Sequence, residues 1–112
     1  IIFSESVYRK VKGQLYCRLV DKVVVKGKTK GESIYTARRS LSAKEKTAWN
    51  YHHLGLRSYY KRSFAKAQRY FELVQRLLPH DKLAEIYIER CGRLGENPPP
   101  ADWNGTEVLT SK

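Results

Sequence analysis

Apolar residues alternate with polar ones through the first third of the chain, recur every three to four positions through the middle, and thin out at the end. The opening IIF reads as a short strand, and Ser4 as the cap of a brief helix with Val7 and Val11 on one face and Gly13 as its stop. The run QLYCRLVDKVVVKG alternates over its first half, with Leu15, Cys17 and Leu19 on one side. It predicts one strand, or two meeting at a kink near Asp21. ESIYTA predicts a further short strand that returns antiparallel to Val23–Val25, with Gly27 and Gly31 as turn residues.

From Ser42 the period lengthens. Ser42 and Glu45 stand in the capping-box relation, in which each side chain satisfies the other's backbone donor, and Trp49, Leu56 and Tyr60 follow at helical steps over about five turns. A second helix is predicted through Phe64, Ala67, Phe71, Val74 and Leu78, ending at Pro79. A third starts on Asp81 as cap and buries Leu83, Ile86, Tyr87, the stem of Arg90 and Leu94. The segment 97–112, with three consecutive prolines, predicts an extended stretch without regular structure, anchored by Trp103.

The helical part resembles a tetratricopeptide unit. Tyr51, Leu54 and Gly55, then Phe64, Ala67 and Phe71, then Pro79 reproduce the aromatic, Leu-Gly, Ala-x3-Phe and Pro order of that repeat. Ser58 departs from the pattern, which has tyrosine there, although Tyr59 follows. Small Gly55 and Ala67 allow two helices to approach closely, with the aromatics filling the space around them. A lone unit cannot cover its own apolar face, so it must lean on the β part, on the tail or on another chain. An ordinary three-helix bundle gives the same periodicity.

Charge sharpens the picture. The 112 residues carry a formal net charge of +11, and residues 1–40 hold ten Lys/Arg against three acids, compared with twelve against eight in residues 41–112. An excess of this kind favours phosphates, nucleic acid or an acidic surface as partner, without bearing on fold. Cys17 and Cys91 lack a second cysteine or a histidine at metal-ligand spacing, which argues against zinc. Two isolated thiols are expected to be reduced and point to an intracellular compartment. His52 and His53 are adjacent, so on a helix they diverge and cannot share one metal. No apolar run reaches membrane-spanning length.

The first 37 residues resemble the C-terminal end of the class III nucleotidyl cyclase catalytic domain. The matching positions are Ser4-Glu5 opening the short helix, Arg18, Asp21, Val23, Val25, Lys26-Gly27-Lys28, and the closing Ile34-Tyr35. IERCGRL, the proline run and DWNG resemble the tail that follows many such domains. The resemblance implies an α+β fold: a short antiparallel β-hairpin plus helix from the edge of a ferredoxin-like cyclase sheet. A three-helix tetratricopeptide-like segment and an extended tail follow, with boundaries at 1–40, 41–96 and 97–112. It also implies cyclisation of ATP or GTP with release of pyrophosphate, and a triphosphate contact from Lys26. Lys28 and Lys30 read as solvated turn charges, and Arg18 as a residue that orients the hairpin through a carboxylate such as Asp21.

In that family the reaction needs two carboxylates holding two divalent ions, Mg or Mn, and an Asn and an Arg steadying the transferred charge. These precede the matching run. Glu5, Asp21 and Glu32, the acids before position 40, do not follow the metal-site pattern. The expectation is that this chain alone binds no metal and is catalytically silent. The implied partners are the remainder of the catalytic domain and a second cyclase domain, with a further protein partner on the helical tail. Attachment of the parent to a membrane is left open.

Two other readings use the same residues. One is a non-catalytic interaction module built on the helices. The other is a nucleic-acid binder stacking bases on Trp49, Tyr51, Tyr59 and Tyr60. These aromatics fall at helix-core spacing and do not alternate with lysines along an exposed strand, so no nucleic-acid partner is favoured.

Overall fold

The computed structural model describes residues 2–25 and 31–109. The chain is α+β and divides into two compact units, residues 1–41 with 105–112, and residues 42–104.

The first unit is a sheet carrying one helix. Its elements are β1 (Ile2–Ser4), α1 (Glu5–Val11), β2 (Tyr16–Val25), β3 (Glu32–Arg38) and, after the second unit in chain order, a last strand (Glu107–Leu109). Strand order is β1, β3, β2 and then that last strand. β3 runs antiparallel to both β1 and β2, and Glu107–Leu109 lies parallel to Val23–Val25. The tail therefore does not stay irregular. Parallel pairing to a strand so distant in sequence leaves no turn signal, and the proline triplet masked the short β-prone stretch that follows it.

The expected kink is a β-bulge. β2 is one strand whose register against β3 shifts between Leu19 and Asp21: Arg18 lies opposite Thr36, Leu19 opposite Tyr35, and Asp21 opposite Ile34. Side chains along a strand alternate faces, so Arg18 and Asp21 would normally point oppositely. The extra residue resets the alternation and puts both on the face of Ile34 and Thr36. Arg18 and Asp21 are both buried, and the Asp21 carboxylate accepts the Lys22 N–H at 2.9 Å.

Helix α1 lies against β3. Tyr8 stacks on Tyr35 with ring centroids 4.2 Å apart and planes within 3° of parallel, and Phe3 adds a looser stack on the same ring. Ser4 occupies the cap position, yet its hydroxyl meets Ser6 and caps no backbone donor. Val7 is exposed and α1 buries no residue completely.

The second unit packs three helices, α2 (Ala43–Tyr60), α3 (Phe64–Leu77) and α4 (Lys82–Glu96). The capping box is formed in both directions: Glu45 N–H donates to Ser42 Oγ at 3.1 Å, and Ser42 N–H donates to Glu45 Oε1 at 2.8 Å. The core is a run of rings. His52 meets Phe71 edge-on, Phe71 stacks on Tyr87 at 4.8 Å, and Tyr59 stands perpendicular to Tyr87 at 5.2 Å. Gly55 faces Phe71 so closely that a Cβ built there would sit 2.9 Å from the ring's Cζ. The close approach expected at Gly55 is thus met by the ring of Phe71.

Helix α4 buries Ala84, Tyr87, Cys91 and Leu94. Ile86, expected in the core, is 44% exposed. Two adjacent apolar positions compete for one face, and the larger ring of Tyr87 takes the buried one. Asp81 holds the cap position without a side-chain cap bond. Trp103 closes the far end of the ring run, edge-on to Tyr59 at 5.3 Å and to Phe64 at 5.5 Å. The tail therefore covers part of the apolar surface that a lone helical unit leaves open.

Candidate functional site

The hairpin of β2 and β3 is the scaffold of the candidate site. β2 rises through Val23 and Val25 directly into the sequence Lys26-Gly27-Lys28, and β3 resumes at Glu32, paired with Val23. Lys26, Gly27, Lys28 and Lys30 lie outside the described residues. Among the flanking residues, Val23 pairs with Glu32 across the β2–β3 ladder.

The other residues of the cyclase-like run are packed on one another. Ser4 lies opposite Ile34 and Phe3 opposite Tyr35 across the β1–β3 ladder. Glu5 pairs with Arg9 at 3.0 Å on the surface of α1. Burial pushes the Tyr35 hydroxyl pKa up, and the Glu5 carboxylate adds to that shift. The short helix and the Ile34-Tyr35 pair are therefore neighbours, joined by the Tyr8–Tyr35 stack and by the pairing of β1 with β3.

A cleft of about 460 Å³ in this unit is lined by Lys12, Gly13, Gln14, Leu15, Tyr16 and Arg39. It sits at the start of β2, at the Tyr16 end of that ten-residue strand. A strand of that length spans about 30 Å, so this cleft lies well away from the Val23–Glu32 end of the ladder.

Among the described residues no three His, Cys, Asp or Glu side chains converge where a metal ion could be held. His52 is fully buried between Phe71 and Tyr87, a packing position in the helical core. No helix among the described residues is long and apolar enough to cross a membrane.

Both cysteines are thiols. Burial raises the pKa of Cys17, and it pushes Cys91, inside α4, up to about 12. Between about 9 and about 12 the unfolded chain releases the Cys91 proton while the folded chain keeps it. The folded state then binds more protons, so this contribution to stability is complete below the unfolded pKa and falls as pH rises through that window. A buried, protonated thiol is also a poor nucleophile. Iodoacetamide at pH 8, followed by mass spectrometry, is expected to label Cys17 first and Cys91 at least a hundredfold more slowly. Equal rates would contradict this placement.

Arg62 is the residue whose role the sequence pattern did not reveal. It sits at the turn between α2 and α3 with φ of 69°, and its guanidinium donates to the carbonyls of Pro99 at 2.6 Å and Pro100 at 2.9 Å. The only signal in the sequence was an arginine where a helix-to-helix turn ordinarily takes glycine.

Comparison with known proteins finds a distant relative. The chain is 33% identical over 78 residues to the adenylate cyclase, terminal-differentiation specific, of Dictyostelium discoideum, an alignment covering 66% of this chain. The chain spans about 4% of the length of that relative. No family model matches, and no solved structure does.

Proposed function

We propose that the chain supplies the C-terminal margin of a class III nucleotidyl cyclase catalytic domain, acting on ATP to give cyclic AMP and pyrophosphate. In this reading Lys26 contacts the triphosphate, and the helical segment packs against or regulates the catalytic part. The observation that carries it is the similarity to the Dictyostelium adenylate cyclase, joined to a strand, short helix and hairpin whose order follows the Ser-Glu, Arg, Asp and Ile-Tyr positions of the cyclase-like run.

The chemistry asked of this chain is modest. A lysine at the end of a paired strand is a point charge on a rigid support, aimed at phosphate oxygens, and the glycine after it lets backbone approach the ligand. Proton transfer, metal binding and stabilisation of the transferred phosphoryl group belong to the remainder of the catalytic domain and to a second cyclase domain. Lys26 binds and orients; it does not react.

The test uses the protein assembled with a complete catalytic domain. Lys26→Ala is expected to lower kcat/KM for ATP by about tenfold, the loss of one charge-assisted contact, with the unfolding midpoint unchanged. Lys26→Arg is expected to recover part of it. Unchanged kinetics would remove the phosphate assignment. The second reading, an interaction module, would then stand on the helical unit, which holds an aromatic core of its own.

A further inference from the structure

Arg62 adopts a left-handed backbone conformation. Glycine takes that conformation without strain, whereas an arginine's Cβ crowds the following carbonyl. The turn itself needs only the backbone, so the side chain has to be explained separately. Its guanidinium donates to two successive proline carbonyls and lies 5.8 Å from the centre of the Trp103 ring.

Prolines have no N–H, so a proline run can be recognised through its polar backbone only by donors offered to its carbonyls. The five-donor fork of an arginine is suited to this. After the prolines, the Trp103 N–H closes a turn onto the Pro100 carbonyl at 3.0 Å. That turn brings the indole against both Tyr59 and Phe64, whose rings also meet each other edge-on at 5.8 Å, so the pair offers one aromatic seat. Tyr59 is fully buried and Phe64 nearly so. Proline-rich segments dock against aromatic-lined surfaces, and a buried aromatic anchor carries much of the binding at an interface; both features are present where this segment sits.

We propose that Tyr59, Arg62 and Phe64 form a peptide-binding site whose resident ligand is the chain's own Pro98–Trp103 segment. When that segment lifts, the site accepts the same segment from a second copy of this chain. The chemistry of the occupant is read from what is seated there: a proline run followed, three residues after its last proline, by a tryptophan. Tethering gives the resident segment an effective concentration on the order of millimolar, which holds off an outside copy until the cis contact is weakened.

The probe is a fluorescent peptide of residues 96–105, titrated against the full 112-residue chain and its variants by anisotropy. The Trp103→Ala chain, whose aromatic seat is vacated, is expected to bind at least tenfold more tightly than the unaltered chain. Adding Arg62→Ala is expected to abolish that gain, and a peptide with alanine in place of its tryptophan is expected not to bind. Equal affinity for the unaltered and Trp103→Ala chains would overturn the proposal, as would absence of binding to a Trp103→Ala chain that circular dichroism shows to be folded. If Trp103→Ala fails to fold, the Pro99→Gly/Pro100→Gly chain carries the test. It retains every ring and loosens only the resident segment, so the peptide is expected to bind it more tightly than the unaltered chain, and no gain would again overturn the proposal.

Discussion

Phe71→Ala is expected to destabilise the helical unit by about 3–5 kcal/mol, the range for truncating a buried aromatic. Phe71 is fully buried, and its ring is shared by three neighbours: it stacks on Tyr87, receives the edge of His52 and fills the space over Gly55. Removing it takes away apolar burial, two ring contacts and the support of a close helix approach together. The site cannot collapse easily, because Gly55 offers no side chain to move inward. Urea unfolding of the 112-residue chain, followed by far-UV circular dichroism, would show the midpoint falling with little change in slope. A loss under about 1 kcal/mol would mean that the ring run is not what holds α2, α3 and α4 together.

The sequence made that core legible because its spacing carries the packing. Gly55, Ala67 and Phe71 fall at helical intervals, and a small residue opposite an aromatic is a pattern that only close helix contact explains. The capping box at Ser42 and the stop before Pro79 were readable for the same local reason. Where the structure departs from the sequence, the missing information is non-local. The pairing of Glu107–Leu109 with β2 joins residues more than eighty positions apart, and nothing in either segment names its partner. Ile86 and Tyr87 are adjacent, and periodicity alone cannot tell which of two neighbouring apolar residues turns inward. Arg62 acts through backbone conformation and through carbonyls thirty-seven and thirty-eight residues away, neither of which leaves a mark on hydropathy.

The candidate site divides in the same way. The strand, helix and hairpin that carry the cyclase-like run were legible from alternation and turn residues, and the kink near Asp21 is a bulge that places Arg18 and Asp21 on one face. The role of Lys26 was read from its neighbours in sequence, and it remains a proposal about a ligand. Composition pointed to an anionic partner without saying where it binds. The cleft lined by Lys12, Tyr16 and Arg39 lies at the Tyr16 end of β2 and carries basic residues of its own, so excess positive charge by itself does not single out one place along the strand.

Two alanine substitutions in the helical unit should move stability in opposite directions, although helix propensity treats them alike. In a helix interior Gly→Ala gains about 0.5–1 kcal/mol. At Gly92 a new Cβ meets nothing within 4 Å, so Gly92→Ala is expected to deliver that gain. At Gly55 the new Cβ would lie 2.9 Å, 3.0 Å and 3.0 Å from Cζ, Cε1 and Cε2 of Phe71. The ring cannot withdraw, because Tyr87 is stacked on it. Overpacking of this kind costs about 1–3 kcal/mol against a gain of at most about 1, so Gly55→Ala should be net destabilising and should sit about 1–3 kcal/mol below Gly92→Ala. A double-mutant cycle isolates the cause. In a Phe71→Leu background the ring tip is gone, and Gly55→Ala should become neutral or stabilising, a coupling of about 2 kcal/mol between the two positions. If Gly55→Ala were as stabilising as Gly92→Ala in the unaltered chain, α2 and α3 would not approach as closely as the contact between Gly55 and Phe71 requires.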